Sequence, residues 1–132
     1  MELYNLGFIE AGKWKLKETL KSGISFQIYK FINERVVYAF VVDDAVKYIG
    51  ICDNTNTTLK DRMSRYQGMA GSGTNKRIAI NIKECLEKGK RVAIIVLNPE
   101  MQLHYKTLKI DLVKGLENPL IERLRPEWNI QK

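Results

Sequence analysis

The alternation of apolar and polar residues along the chain predicts an α+β fold. Five segments either alternate with a period of two or are dense in β-branched and aromatic residues, which is typical of strands. They are residues 13–17, 24–29, 35–42, 46–52 and 91–97. Asp43 and Asp44 supply a tight acidic turn between the third and fourth segments, so these two segments predict a β-hairpin.

Apolar residues at helical spacing predict three helices. Thr58 and Asp61 have the spacing of a capping box and open the first helix. Three glycines within residues 68–74 predict a loop, and the second helix follows it and ends before Gly89. The third helix is predicted by a stripe of Leu108, Leu112, Val113, Leu116, Leu120 and Leu124. The predicted order is β-β-β-β-α-α-β-α, with a small, mostly antiparallel central sheet flanked by helices.

Length and composition narrow the class of protein. The 132 residues suit one compact domain, which we divide into an N-terminal β extension at 1–34 and a main part at 35–132. Lys and Arg number 22 against 15 Asp and Glu, and this net charge of +7 favours a polyanion as partner. The longest apolar run, residues 36–42, is far shorter than the roughly 20 residues that cross a membrane.

The N-terminal sequence and the cysteines indicate the expected compartment. The first residues have neither the basic region nor the apolar core of a signal peptide. Two cysteines are too few for a disulfide scaffold, so we expect a reducing, cytoplasmic setting.

Searches for standard catalytic motifs in the sequence are mostly negative. There is no Walker loop, and no Gly-x-Gly-x-x-Gly motif between a strand and a helix. The single histidine, His104, has no evident partner for a serine or cysteine triad. The acidic residues are scattered, which argues against a two-metal cluster.

One set of residues around the predicted hairpin and the later helices stands out by its order and spacing. The set is Tyr38, Tyr48, Gly50, Arg62, Tyr66, Glu117 and Asn129. Taken singly, strand tyrosines are usually packing residues and a helix arginine is usually a solvated cation. Together they form Val-Tyr, Tyr-Ile-Gly ten residues later, Leu-x-x-Arg-x-x-x-Tyr, and Glu followed by Pro-x-Trp-Asn. This pattern resembles the GIY-YIG nuclease family over about residues 36–129.

The resemblance implies a nuclease site in which the tyrosines and the glycine order water and phosphate. Tyr38 corresponds to the tyrosine proposed as general base on the attacking water. Tyr48 helps to order the water and phosphate, Gly50 lets the backbone run close to them, and Tyr66 also faces the site. The family supplies the catalytic module of some homing endonucleases, some restriction enzymes and the incision subunit of bacterial nucleotide excision repair.

The remaining three residues are implied to bind phosphate and metal. Arg62 corresponds to the arginine on the scissile phosphate, and Glu117 to the sole acidic ligand of one divalent metal, Mg²⁺ or Mn²⁺. Asn129 corresponds to an asparagine that buttresses the site. These roles suit the chemistry, because a guanidinium matches two phosphate oxygens and Mg²⁺ tolerates a single carboxylate among water and phosphate ligands. A tyrosine becomes an effective base only if nearby cations lower its pKa, which Arg62 and the metal would do.

The chain departs from the family pattern at several positions. The first motif lacks its leading glycine, and Ile51 stands where many members carry a lysine. The stretch between Tyr48 and Arg62 is longer than in the repair enzymes, and Pro119 would bend the helix that carries Glu117.

A group of basic residues near the first predicted helix and the glycine loop is predicted to contact DNA phosphates. The group is Lys60, Arg65, Lys76, Arg77 and Lys83.

The sequence thus predicts a metal-dependent DNA endonuclease, with no membrane partner. A single site cuts one strand, so double-strand cutting requires a homodimer or two visits. Two alternatives stay open, namely a non-catalytic nucleic-acid-binding module on this fold and a structural domain whose charge is incidental. Residues 1–34 are open to a role as sheet edge, dimerisation surface or DNA-reading element.

Overall fold

The chain forms an antiparallel sheet of five strands with helices on both faces, which confirms the predicted α+β class. The structure is a computed structural model that describes residues 1–71 and 73–129. The strands of the main sheet are β1 (Ile9–Leu16), β2 (Ile24–Ile28), β3 (Val37–Val42), β4 (Ala45–Ile51) and β5 (Val92–Leu97). The helices are α1 (Glu2–Asn5), α2 (Leu59–Gly68), α3 (Gly73–Glu87) and α4 (Leu112–Leu124). A separate hairpin is formed by β6 (Leu103–Tyr105) and β7 (Leu108–Ile110).

The sheet has the order β2-β1-β5-β3-β4, and all neighbouring strands are antiparallel. The predicted hairpin of β3 and β4 is present, with Asp43 and Asp44 at its turn in the left-handed conformation. β1 lies between β2 and β5, so residues 1–34 contribute two strands to this sheet. The division of the chain at residue 35 stays a prediction.

Alternate residues of β3 belong to two different cores, because both faces of this strand are covered. Tyr38, Phe40 and Val42 pack in a core with residues of α2 and α3. Their neighbours Val37 and Ala39 pack on the other face with residues of α1 and α4. All six residues of β3 are buried, which explains why its sequence is apolar without alternation.

Helix α2 begins with the predicted capping box. The hydroxyl of Thr58 accepts from the Asp61 N–H at 3.2 Å, and the Asp61 carboxylate accepts from the Thr58 N–H at 3.0 Å. The predicted loop at 68–74 was too long, since Gly68 ends α2 and Gly73 begins α3. Gly71 has a positive φ, whereas Gly68 and Gly73 do not, so these two glycines can belong to the helices. Ser72, within that predicted loop, lies outside the described residues.

The apolar stripe predicted for the last helix began too early. Leu108 belongs to β7, and α4 begins after Asp111, whose carboxylate accepts from the N–H groups of the helix's first turn. Helix α1 and the β6–β7 hairpin were not predicted, because segments of three or four residues are too short for a period to be recognised. Helix α4 continues through Pro119. Proline has no N–H to donate to the carbonyl of Gly115, four residues earlier, and Gly115 is exposed to solvent.

Within residues 1–71 and 73–129, no helix has both the length and the apolar character needed to span a bilayer.

Candidate active site

The hairpin register places Tyr38 of β3 directly opposite Gly50 of β4. The Tyr38 ring lies over the glycine, and a Cβ at position 50 would lie only 2.5 Å from the Cζ and hydroxyl oxygen of Tyr38. Gly50 therefore makes room for the ring of the first tyrosine. The role predicted from the sequence, that this glycine lets the backbone run close to phosphate, stays a prediction.

Three polar groups from β3 and α2 form a buried hydrogen-bonded cluster. The hydroxyls of Tyr38 and Tyr66 share a hydrogen bond of 2.6 Å. Arg62 donates from Nε to Tyr38 at 3.1 Å and from Nη2 to Tyr66 at 3.2 Å. The spacing of four residues on α2 also places the Arg62 guanidinium over the Tyr66 ring, 5.5 Å from its centroid.

Both acceptors of Arg62 are neutral hydroxyls, so its positive charge is not cancelled. Burial lowers the pKa of the guanidinium, but its electrostatic interactions and hydrogen bonds with the oxygens of Tyr38 and Tyr66 have the larger effect, and the pKa is raised. No carboxylate of the described residues lies within ion-pair distance of Arg62. Two of its five N–H groups are used by the tyrosines, which leaves three that can bind an anion.

The tyrosines of the cluster hold their protons firmly. Tyr38 and Tyr66 are fully buried, and burial raises the pKa of each hydroxyl, although the charge of Arg62 opposes the rise. Burial likewise raises the pKa of Tyr48. The sequence predicted that cations would lower the pKa of Tyr38. In the structure Arg62 alone does not achieve this, because desolvation of the phenolate is the larger effect.

Phe40, which the sequence did not single out, supports the whole aromatic arrangement. Its ring stacks on Tyr48 with centroids 5.8 Å apart and meets Tyr66 edge-on at 5.5 Å. The ring centroid of Tyr66 in turn lies 6.2 Å from the ring centroids of both Tyr38 and Tyr48. The signal that points to Phe40 is the period of two in β3, which puts residues 38 and 40 on the same face.

Glu117 reaches the same region from α4. Its carboxylate is half-buried, and burial raises its pKa, opposed by the charge of Arg62 and reinforced by that of Asp53. In the described part of the chain no donor forms a hydrogen bond or ion pair with it. A half-buried carboxylate with unused oxygens is suited to a hard divalent cation. The described residues contain no group of three or more His, Cys, Asp or Glu that could hold a metal.

The chain's last described residues attach the outer edge of β4 to the rest of the fold. The side chain of Asn129 accepts from the Ile49 N–H at 2.8 Å and donates to the Ile49 carbonyl at 2.9 Å. The Trp128 N–H donates to the Lys47 carbonyl at 2.8 Å. An amide side chain thus satisfies the edge of the strand that carries Tyr48 and Gly50. The predicted role of Asn129 as a buttress of the site stays a prediction.

Arg35 holds three segments of the site together, and sequence reasoning missed it. Its guanidinium forms a bidentate pair with Asp111 at 2.8 Å and donates to the carbonyls of Asp53 and Asn54. Asp111 is the N-cap of α4, and Asp53 follows β4. Arg35 therefore connects the loop after β4 to the helix that carries Glu117. No sequence signal links residues 76 positions apart, so only the tertiary structure identifies this contact.

The predicted DNA-contacting residues have different surroundings. Lys60 and Lys76 are exposed on α2 and α3, and Arg65 is half-buried on α2. Arg77 donates to the Trp128 carbonyl at 2.8 Å, so one of its nitrogens holds the C-terminal segment. The side chain of Lys83 lies against Gly23, in the turn between β1 and β2.

Comparison with known proteins shows a nuclease fold. The chain matches no protein-family model, and no curated protein sequence resembles it closely. Among solved structures it resembles a glutamate-to-alanine variant of bacteriophage T4 EndoII, with a TM-score of 0.70 and 20% identity over 96% of this chain and 94% of the other. It also resembles the restriction endonuclease HPY188I in complex with product DNA, with a TM-score of 0.57 and 18% identity over 99% and 81%. The fold is of the GIY-YIG nuclease type, as the residue pattern predicted.

The contact between Tyr38 and Gly50 predicts the effect of adding one methyl group. We expect Gly50→Ala to destabilise the protein by about 1–3 kcal/mol, because the fully buried Tyr38 ring must move. The control is Gly115→Ala, in an open position of α4, which we expect to stabilise by about 0.5–1 kcal/mol. Urea unfolding of the three proteins measures both effects. Equal stability of Gly50→Ala and wild type would contradict the close contact.

The pair of Arg35 and Asp111 predicts a pH-dependent contribution to stability. We expect Asp111→Asn to lose about 0.5–1 kcal/mol at neutral pH, since asparagine keeps the helix cap but not the ion pair. Hydrogen bonding from Arg35 lowers the pKa of Asp111 below 3.8, so the difference from wild type should shrink as pH falls below that value. Thermal unfolding at neutral and acid pH measures it. Asp43→Asn, which removes an exposed pair with Lys90, is the control and should change less.

Proposed function

We propose, from the GIY-YIG type of fold and the charge of its tyrosine–arginine cluster, that the protein is a metal-dependent DNA endonuclease. It would hydrolyse phosphodiester bonds beside Tyr38, Arg62 and Glu117. The observation that carries the proposal is the geometry of Arg62. A cation is held partly buried by two neutral hydroxyls and has no carboxylate partner among residues 1–71 and 73–129, so it keeps its charge for a bound anion.

Arg62 would bind the scissile phosphate. Its three remaining N–H groups lie in the rigid plane that the two tyrosine contacts fix, and such a fork matches two phosphate oxygens. Because the group is already oriented and partly desolvated, it stabilises charge that develops on the phosphate with little rearrangement. Lysine would supply the charge without the two fixed contacts to tyrosine.

Tyr38 would accept the proton of the attacking water, with Tyr48 and Tyr66 positioning the groups around it. The N–H of Arg62 that donates to the Tyr38 hydroxyl stabilises the phenolate form. Burial acts in the opposite direction and makes the phenolate rare at neutral pH. A base of this kind becomes more effective as pH rises, and this dependence identifies it.

Glu117 would hold one divalent cation, with Mg²⁺ or Mn²⁺ as candidates. When bound, the cation supplies Lewis-acid stabilisation of charge on the phosphate and the leaving oxygen. Its positive charge would also favour the ionised form of Glu117, whose pKa burial raises. Asn129 would keep β4 in register beside this group through its two hydrogen bonds to Ile49.

DNA is the proposed partner. The net charge of +7 favours a polyanion, and the exposed Lys60 and Lys76 lie on the two helices beside the site. Arg65, Arg77 and Lys83 complete the predicted set. Contacts of this kind are independent of base sequence and weaken as salt concentration rises. The complex of the restriction endonuclease with its product DNA is consistent with this partner.

One observation favours a second candidate, a nucleic-acid-binding module that does not cut. Tyr38 is fully buried and its pKa is raised, which are the properties of a structural tyrosine. This candidate keeps the Arg62 site for phosphate and needs neither the metal nor a base. It predicts DNA binding without cleavage.

Nicking of supercoiled plasmid tests the proposed activity. We expect cleavage with Mg²⁺, none with EDTA, and a loss of at least 100-fold for Glu117→Gln. Glu117→Gln should melt at the same or a higher temperature, because burial raises the pKa of Glu117 and so penalises its charged form above pH 4.5. Glu122→Gln, on an exposed position of the same helix, should keep wild-type activity.

The outcomes separate the two candidates. Binding of plasmid that weakens with salt, without nicks in Mg²⁺ or Mn²⁺, would favour the binding module. Undiminished cleavage by Glu117→Gln would show that the metal is held elsewhere.

The pH profile tests the role of Tyr38. Because its pKa is raised, the logarithm of kcat/KM should increase with pH from 6.5 to 9.5 without a plateau. Tyr38→Phe should lower the rate by about 100-fold or more and remove this slope. Tyr66→Phe removes a neighbouring hydroxyl of the same cluster and should keep the slope at a lower rate. A wild-type plateau below pH 8 would assign the base to another group.

A further inference from the structure

Residues 32–36, which we call the tie segment, contact three elements on which the proposed site depends. Within this segment the Arg35 guanidinium forms a bidentate pair with the Asp111 carboxylate, and both contacts are 2.8 Å long. It also donates to the carbonyls of Asp53 and Asn54 at 3.3 Å and 3.0 Å. Asp111 is the N-cap of α4, and the two carbonyls follow β4. One side chain therefore links the start of α4 to the end of β4.

The backbone of the tie segment holds the start of α2. The carbonyl of Ile32 accepts from the Lys60 N–H at 3.0 Å, and that of Glu34 accepts from the Leu59 N–H at 2.9 Å. The first N–H groups of a helix have no acceptor within the helix, so these two bonds fix where α2 begins. Arg62 lies in the first turn of this helix, and its position therefore depends on the same segment.

The tie segment also pairs with β4 and leads directly into β3. The Val36 carbonyl accepts from the Cys52 N–H at 3.1 Å, next to the pair that Val37 forms with Ile51. Tyr38 is the second residue of β3. The tie segment thus joins the four elements that carry the tyrosines, the arginine and the glutamate of the proposed site.

Arg35 differs from Arg62 in the fate of its charge. Hydrogen bonding to the Asp111 carboxylate raises the pKa of Arg35, and the ion pair cancels the charge of the guanidinium. The acceptors of Arg62 are neutral hydroxyls. Because a carboxylate and two carbonyls use most of its N–H groups, Arg35 is suited to hold protein segments together and not to bind phosphate.

Apolar packing alone fixes the place of α4 less strictly than this ion pair does. Val113 and Leu120 of the helix pack with apolar residues of β3 and β4 on one face of the sheet. Such contacts are non-directional, so they hold the helix close to the sheet but restrain its shifts along its own axis only weakly. A bidentate pair between a guanidinium and a carboxylate has a strict geometry. Arg35 therefore supplies a directional contact at the end of α4 that precedes Glu117.

We propose that Arg35 is a positioning residue of the nuclease site, which sets the separation between the Glu117 carboxylate and the Arg62 guanidinium. The inference rests on the proposed function, because that function gives these two groups the metal and the scissile phosphate to hold. A displacement of about 1 Å at a catalytic group costs about 100-fold in rate, whereas an exposed ion pair contributes little to stability. Replacement of Arg35 should therefore impair catalysis far more than folding.

The Mg²⁺ dependence of plasmid nicking tests this positioning role. Arg35→Lys keeps the positive charge, but a single ammonium does not reproduce the planar set of contacts to two carboxylate oxygens and two carbonyls. We expect its kcat at saturating Mg²⁺ to fall at least tenfold and its half-saturating Mg²⁺ concentration to rise at least threefold. Its KM for DNA should change less than twofold, because Arg62 and the surface lysines remain. A purely structural role would lower the fraction of active protein and leave the half-saturating Mg²⁺ concentration unchanged.

Arg91→Lys is the matched control. Arg91 forms a bidentate pair of the same kind, since it donates to the two carboxylate oxygens of Glu10 at 2.6 Å and 2.9 Å. It precedes β5, whereas Val96, near the other end of that strand, is the residue that pairs with Tyr38. Arg91→Lys should change kcat and the half-saturating Mg²⁺ concentration less than twofold.

Asp111→Asn breaks the same ion pair from its other side and keeps the helix cap. It should raise the half-saturating Mg²⁺ concentration in the same direction as Arg35→Lys. Added to Arg35→Lys, it should have no further effect, because the pair is already broken. Thermal unfolding verifies that every variant is folded at the assay temperature, and Asp111→Asn keeps the test decisive if Arg35→Lys does not fold.

Binding of Mn²⁺ to the DNA-free protein, measured by electron paramagnetic resonance, separates this inference from the proposed function. The wild-type chain should bind Mn²⁺ through Glu117, and Glu117→Gln should not. Arg35→Lys should weaken the binding at least threefold, because Arg35 also holds the backbone of Asp53, whose charge acts on Glu117. This measurement decides the role of Arg35 even if the wild-type chain does not cut DNA.

The outcomes distinguish failure of the inference from failure of the proposed function. Unchanged Mg²⁺ and Mn²⁺ constants in Arg35→Lys, or equal effects of Arg35→Lys and Arg91→Lys, would overturn the positioning role and leave the metal site intact. A wild-type chain without Mn²⁺ binding that depends on Glu117 would overturn the metal site, and the positioning role with it.

Discussion

The hydrogen bonds from Arg62 to two buried tyrosine hydroxyls determine the character of the site. A guanidinium can be partly buried only if its N–H groups find acceptors, and carboxylates would have met that need at the cost of its charge. Tyr38 and Tyr66 supply oxygen without negative charge. The cation is therefore oriented and still positive, which is the property that a phosphate-binding site requires. The aromatic core around Phe40 holds both hydroxyls in place.

Several contacts in the surrounding fold hold distant segments of the chain near Arg62. Gly50 leaves room for the Tyr38 ring across the hairpin. Asn129 closes the edge of β4, and Arg35 ties the loop after β4 to the cap of α4. Asp111 caps α4, the helix that carries Glu117. A small domain thus achieves a precise arrangement with few polar contacts, each of which joins residues far apart in sequence.

The match to solved nuclease structures at 18–20% identity shows that this architecture tolerates the replacement of most side chains.

Local chemistry determined much of the structure from the sequence alone. The density of β-branched residues in β3, the turn at Asp43 and Asp44 and the Thr58 cap act over a few residues, so their elements were predicted. Tertiary structure decided what depends on several segments at once. Burial, not the nearby cation, sets the pKa of Tyr38, and Leu108 joins a hairpin although its spacing suits a helix. The contacts of Arg35 and Asn129 likewise exist only after folding, because the local sequence does not encode which distant group will lie opposite.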